Sequence, residues 1–173
     1  MPWQLDTAHT EVGFEVRHMM VSKVRGRFTD VAAEIHLDDA QPANLRVEAT
    51  IGAASVTTGA ADRDGHLKSA DFFDVENTND LTFVSTGIVA TGDDFVVTGN
   101  LTIKGVTQPV ELAVELGGIA TDPFGNVRAG FEGKGEISRK EFGLTWNVAL
   151  EAGGVLVSDT IKLQLDISAI KQG

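Results

Sequence analysis

Apolar and polar residues alternate along most of the chain, which is the pattern of β-strands that bury one face. The alternation is clearest over residues 12–18, 31–38, 45–52, 95–103, 110–116 and 161–167. Weaker strands are expected near residues 81–90, 127–137 and 144–157. Turn-forming residues separate several of these segments, as at residues 91–94 and 122–126. The sequence therefore predicts an all-β protein with eight or more antiparallel strands.

A closed barrel is favoured over a sandwich. Strands of about eight to twelve residues are long for a small sandwich, and closure removes the exposed edges that invite aggregation. An eight-stranded barrel has just enough interior room for side chains or for one ligand. No linker interrupts residues 1–173, so we predict one domain, an eight-stranded antiparallel β-barrel.

One segment breaks the alternation. Residues 57–74 read TTGAADRDGHLKSADFFD and carry the densest polar cluster of the chain, Arg63, Asp64 and His66. Thr57 or Thr58 is predicted to cap a short helix that begins at Gly59. A helical connection between two strands can close one mouth of a barrel, and we interpret residues 59–74 as such a lid.

The polar cluster and His18 have two interpretations each. Arg63 and His66 either hold the lid through a salt-bridged helix turn, or face the barrel mouth and meet a polar ligand head, for which arginine suits phosphate. Continued alternation puts His18 on the inner face of its strand, either as a hydrogen-bonded core residue or as a ligand contact. Met19 and Met20 follow in a turn and form either ordinary packing or an adaptable hydrophobic rim.

Motifs of common enzymes are missing from the sequence. It has no G-x-S-x-G, no H-E-x-x-H, no phosphate-binding glycine loop and no cysteine. None of the four histidines has a second histidine two or four positions away, so no local metal site is predicted. We expect neither catalytic residues, nor a metal, nor a cofactor.

The charge of the chain limits its partners. A net charge of −11 argues against nucleic acid, whose phosphates need clustered Lys and Arg, and against stable adsorption on anionic lipid. The first residues lack a basic and an apolar signal region, and no stretch is long enough to span a membrane. A cytoplasmic location is expected for the chain as given, or a periplasmic or secreted one if a signal was removed.

Several motifs, in order, resemble those of the YceI-like family of polyisoprenoid-binding proteins. They are W-x-x-D-x-x-H-T at 3–10, F-x-V-x-H at 14–18, V-x-G-x-F at 24–28, T-G-x-x-x-R-D-x-H-L-x-S-x-D-F-F-D at 58–74, F-x-S-T at 83–86, G-x-L-T-I-x-G-V-T-x-P-V at 99–110 and R-x-x-F-G-L-x-W at 139–146. The resemblance implies a lipocalin-like eight-stranded barrel around an elongated apolar cavity that holds an isoprenoid chain. It also implies that a homodimer is possible.

Three hypotheses on function follow. The first is a non-catalytic carrier of an isoprenoid lipid, either a polyprenyl phosphate or a prenylated quinone. Inward residues expected to line its tail site are Phe14, Val16, Leu45, Val47, Ala49, Val97, Leu101, Val114, Phe131 and Leu163. The second is an isomerase or hydrolase for an apolar substrate, with His18 or His66 as general base. The third is a filled barrel that serves as an interaction module.

Overall fold

The strands of the protein form one continuous sheet. The computed structural model describes residues 2–18, 22–36, 45–92, 94–147 and 157–172. The strands in these residues are Pro2–Leu5 (β1), Glu11–His18 (β2), Ser22–Phe28 (β3), Val31–His36 (β4), Arg46–Gly52 (β5), Val56–Thr57 (β6), Asp80–Thr91 (β7), Asp94–Ile103 (β8), Val106–Thr121 (β9), Val127–Ser138 (β10) and Val157–Lys171 (β11). One α-helix, Ala61–Lys68 (α1), and short 3-10 turns at Thr7–His9, Ala53–Ser55 and Arg139–Phe142 complete the described elements.

The sheet closes into a barrel of eight antiparallel strands. Its ring runs β1-β4-β5-β7-β8-β9-β10-β11, and β11 pairs back with β1. The three other strands extend the wall, because β2 pairs with β11 above β1, β3 pairs with β2, and β6 pairs with β3. This closure confirms the predicted eight-stranded antiparallel barrel.

The barrel has two different ends. Its upper end carries α1, the end of β2, the 3-10 turn Arg139–Phe142 and the tight β8–β9 turn, where Lys104 and Gly105 both have positive φ. Its lower end carries the start of β1, the end of β11 and the β7–β8 and β9–β10 turns. The lower interior is packed with buried side chains, among which Trp3 is 1% and Phe95 2% exposed.

The lid helix starts later than the sequence predicts. Gly59 has a φ of +83°, which is incompatible with a right-handed helix, and α1 begins at Ala61 without a side-chain cap. The predicted capping role of Thr57 or Thr58 is therefore wrong. Thr58 instead donates its own hydroxyl and backbone N–H to Asp64 Oδ1, at 2.6 and 2.8 Å.

The strand expected over residues 144–157 is also not found as predicted. Residues 144–147 form no strand, β11 begins at Val157, and residues 148–156 lie outside the described chain, as do 37 and 38 of the segment expected over 31–38. The carbonyl groups of Leu144 and Trp146 accept hydrogen bonds from the Arg139 side chain.

Two salt bridges, here called the ion-pair lock, join two loops at the lower end of the barrel. Arg128 on β10 donates to Asp6 Oδ2 at 2.6 Å and to Asp122 Oδ2 at 2.7 Å, joining the β1–β2 corner to the β9–β10 turn. Asp122 Oδ1 also accepts backbone N–H bonds from Phe124 and Asn126. The Arg128 guanidinium, followed by the Asn126 N–H, lowers the pKa of Asp122 from 3.8 to about 2.

Stability is expected to depend on pH through this lock. The pKa of Asp122 is depressed in the folded state, so its contribution is complete above the unfolded value of 3.8 and is lost as pH falls toward about 2. In Asp122→Asn, the free energy of unfolding should fall less over that window than in the parent protein. Urea unfolding at a series of pH values measures this.

The matched control for this experiment is Glu132→Gln. Glu132 is an exposed carboxylate on β10, and this variant should keep the pH dependence of the parent. An unchanged pH dependence in Asp122→Asn would contradict the role assigned to Asp122.

Candidate functional site

The barrel encloses an apolar cavity of about 340 Å³. Its lining runs from Leu5 and Ile35 near the lower end to Leu67 and Trp146 near the upper end. Four side chains of this lining are polar or charged in the described part of the chain, namely His18, Arg63, His66 and Arg139, and all of them belong to the upper end. The cavity is therefore an apolar tube with a polar mouth.

The structure shows where the residues expected at the ligand site lie. The thirteen described residues expected at the ligand site all line the cavity, and they are Phe14, Val16, His18, Leu45, Val47, Ala49, Arg63, His66, Val97, Leu101, Val114, Phe131 and Leu163. Their role as ligand contacts stays a prediction. Met19 and Met20 lie outside the described residues.

Sequence reasoning missed Arg139 and Trp146 as cavity residues. Both lie on the β10–β11 connection, where no alternating pattern assigns an inner face. The sequence did contain a signal for them, because Arg139 and Trp146 are the first and last residues of the R-x-x-F-G-L-x-W motif at 139–146. Phe28 and Phe73, which also line the cavity, were not assigned to the site either.

Inward glycines keep the tube open. A Cβ added at Gly26 would clash with the ring of Phe14, and one added at Gly99 would clash with the ring of Phe83. Each ring therefore lies across a neighbouring strand where no side chain projects. Leu112 covers Gly135 in the same way, with its Cδ2 at 2.7 Å from the position of such a Cβ. Large side chains thus line the wall without filling the interior.

The lid is anchored inside the barrel by aromatic contacts. Phe73, which follows α1, meets the ring of Phe28 at 5.7 Å, and Phe28 meets Phe14 at the same distance. Lys104 Nζ, on the β8–β9 turn, donates to the Ala70 carbonyl at 2.7 Å. The lid is therefore held by ring contacts inside the barrel and by a hydrogen bond at the rim.

An aromatic cluster of His66, Phe72 and Trp146 forms one side of the mouth. The His66 ring lies edge-on to Trp146 at 4.5 Å and to Phe72 at 5.1 Å, measured between ring centroids. His66 Nε2 also lies 2.9 Å from Asp71 Oδ2. The lid and the β10–β11 connection therefore meet in one packed contact at the mouth.

Arg139 organises the other side of the mouth. The residue is only 2% exposed, and its guanidinium donates to the carbonyls of Ser158, Leu144, Trp146 and Val157 at 2.6–3.1 Å. Burial lowers the pKa of Arg139 below its ordinary value, and the field of Asp159 partly opposes this shift. Its hydrogen bonds fix the positions of Trp146 and of the start of β11.

Arg63 and His18 complete the polar mouth. Arg63 is exposed and donates through Nε to Thr58 Oγ1 at 2.7 Å and through Nη2 to the Thr58 carbonyl at 3.0 Å. No carboxylate lies within 4 Å of it among the described side chains. His18 is half-buried, and its ring has no hydrogen bond in the described chain, so the hydrogen-bonded core role is not observed there.

Metal binding and membrane spanning are two further possibilities for the residues that the structure describes. No group of three or more His, Cys, Asp or Glu side chains is arranged there to hold a metal ion. None of the helices there has the length and apolar character needed to span a bilayer.

Comparison with known sequences identifies the family. Residues 3–169 match the sequence model of the YceI-like domain. The chain belongs to the YceI-like family. Over 164 residues it is 37% identical to a UPF0312 protein of Pseudomonas aeruginosa (strain LESB58), covering 95% of this chain and 83% of that one. It is equally similar, with the same coverage, to the protein YceI of Salmonella newport (strain SL254).

Several solved structures have the same fold as this chain. BcnA of Burkholderia cenocepacia superposes with a TM-score of 0.81 at 25% identity, over 95% of this chain and 98% of that one. The Campylobacter jejuni YceI protein does so with a TM-score of 0.79 at 34% identity, over 97% and 96%. A polyisoprenoid binding domain from Saccharophagus degradans shares the fold, with a TM-score of 0.73 at 15% identity over 98% of each chain.

Replacing Gly26 by alanine tests the origin of the open tube. The new methyl group would push the Phe14 ring away from the wall, so Gly26→Ala is expected to cost about 1–3 kcal/mol of unfolding free energy. Gly130→Ala is the matched control, since an added Cβ there meets no atom within 4 Å, and its effect should stay within about 0.5 kcal/mol. Equal urea midpoints for both variants would contradict this account.

Proposed function

We propose that this protein is a non-catalytic carrier of an isoprenoid lipid, a polyprenyl phosphate or a prenylated quinone, whose tail occupies the barrel. The observation that carries the proposal is the cavity itself. Apart from its polar mouth, its described lining consists of apolar side chains and the glycine Gly13. Cavities with such linings stay dry and bind apolar molecules.

The two ends of the cavity give the bound lipid a direction. At the lower end, Trp3, Leu5 and Ile35 are all at least 92% buried, so a tail has its terminus there. At the upper end, Arg63 is exposed and also lines the cavity. A lipid would enter tail first and leave its head at the mouth.

The energetics suit a carrier that both takes up and releases its cargo. Moving a methylene group from water into an apolar site yields roughly 0.8 kcal/mol. In a cell the competing site for the tail is a membrane, which is about as apolar as the cavity, so the transfer is nearly balanced. Selectivity would then come from tail length, from the fit to methyl branches and from the mouth.

The relatives support this proposal through fold and family. The Saccharophagus degradans domain, which shares this barrel, is described as polyisoprenoid-binding. Membership of the YceI-like family points the same way.

The enzymatic alternative has less support. A general base inside the cavity would be His18 or His66, yet no acidic side chain lines the described part of the cavity. The carboxylate beside His66 is Asp71, which is 48% exposed and lies outside the lining. An acid–base pair enclosed with the substrate is therefore not formed by these residues.

A phenylalanine in the tube is expected to weaken binding. Ala33 lines the cavity opposite Ala49 on the neighbouring strand, so Ala33→Phe would place a ring across the path of the tail. If the ring displaces two methylene groups, the loss is about 1.6 kcal/mol, or roughly tenfold in affinity. Calorimetric titration with the prenyl alcohol farnesol measures the change.

Ala32→Phe is the control for this titration. Ala32 is the next residue on β4 and is exposed on the outer face, so this variant adds the same ring outside the tube. It should bind farnesol like the parent protein. The proposal fails if the parent does not bind farnesol, or if the two variants bind it equally well.

A further inference from the structure

We propose that the mouth is a binding site for an anionic lipid head, a phosphate or a carboxylate, with Arg63 as its principal contact. This inference rests on the carrier function proposed above. The chain has 25 acidic and only 14 basic residues, yet the charged side chains in the described lining of the cavity are the arginines Arg63 and Arg139, with two histidines beside them. A lining that excludes carboxylates in so acidic a chain favours an anion.

Arg63 is held in a defined orientation. Its Nε and Nη2 donate to the hydroxyl and the carbonyl of Thr58, which occupies one edge of the guanidinium. The Thr58 hydroxyl donates its only proton to Asp64 Oδ1 at 2.6 Å, so toward Arg63 it can act only as an acceptor. The same hydrogen bond lowers the pKa of Asp64, which keeps that acceptor ionised.

The other edge of Arg63 is available to a ligand. A guanidinium has five N–H groups, and the two bonds to Thr58 leave Nη1 and the second N–H of Nη2. These form the end-on pair that binds two oxygens of a phosphate or carboxylate in parallel. Among the described residues no carboxylate takes this position, although the side chain lines the cavity and reaches solvent.

Two of the three other basic side chains in the described lining are already engaged. His66 Nε2 contacts Asp71 Oδ2, and Arg139 donates four of its N–H groups to backbone carbonyls. His18 has no side-chain partner in the described chain and can add one ring N–H donor. Arg63 is thus the cation of the mouth that a head group can pair with directly.

This geometry separates the two lipid classes named for the carrier. A quinone head offers carbonyl oxygens, which accept single hydrogen bonds and leave the arginine charge uncompensated. A phosphate or carboxylate head accepts the end-on pair and neutralises it, which makes each hydrogen bond stronger. The mouth therefore fits a prenyl phosphate or a prenyl acid better than a prenylated quinone.

Matched ligands test this head site. Farnesyl phosphate, farnesoic acid and farnesol share one tail and differ in the head. At least one of the two anions is expected to bind about tenfold more tightly than the alcohol, as charge-assisted bonds allow. Isothermal titration calorimetry of the full chain gives each affinity, and the tighter anion identifies the head chemistry.

Variants assign the difference to Arg63. Arg63→Gln should reduce the preference for the anion over farnesol to less than about twofold, while Arg63→Lys should retain part of that preference. Arg46→Gln makes the same charge change at an exposed position of β5 at the lower end, and it should keep the full preference.

Several results would overturn the inference. Equal binding of farnesol and both anions, or an equal loss of preference in Arg63→Gln and Arg46→Gln, would refute the head site while leaving the carrier function in place. Inorganic phosphate alone should bind far more weakly than farnesyl phosphate, and equal affinity would make this a free-phosphate site. If none of the three farnesyl compounds binds, the carrier function fails and the head site fails with it.

Discussion

The protein depends on one geometric constraint, the width of an eight-stranded barrel. Such a barrel is just wide enough for its own side chains to fill it. An open interior therefore requires some inward positions that have no side chain. Gly26, Gly99 and Gly135 are those positions, and the side chains of Phe14, Phe83 and Leu112 lie across them. Large residues then cover the wall instead of meeting at the centre. The apolar tube is a result of this pairing of glycine with a bulky neighbour.

The two ends of the tube differ in their chemical character. Buried side chains such as Trp3 and Phe95 fill the lower end, whereas the upper end is built from connections that carry polar groups. Arg139 fixes the β10–β11 connection through backbone carbonyls, and the contact of His66 with Trp146 joins that connection to the lid. In the proposed carrier, an apolar tail and a polar head would meet different surroundings in one cavity. The wall would set how much of the tail is buried, and the mouth would set which heads are accepted.

The alternating pattern predicted the barrel and its inner face because side chains in a closed, one-sided sheet follow a period of two. Phe14, Val97 and Leu163 could be assigned to the interior on that ground alone. The pattern gave no information where the chain leaves the sheet. The start of α1 was misplaced because the left-handed backbone of Gly59 is not visible in the sequence, and Arg139 and Trp146 were missed because their connection has no period. The hydrogen bonds of Arg63 to Thr58 decide which edge of its guanidinium stays available. These bonds are seen only in the structure.

The most direct test of the account is the identity of what the purified protein carries. Organic extraction of the protein after expression and purification, followed by mass spectrometry and quantification against protein, measures this. The account predicts a molecule with a prenyl tail, at close to one per chain. An extract without any prenyl compound, from a protein that also fails to acquire one when mixed with isoprenoid-containing vesicles, would contradict it.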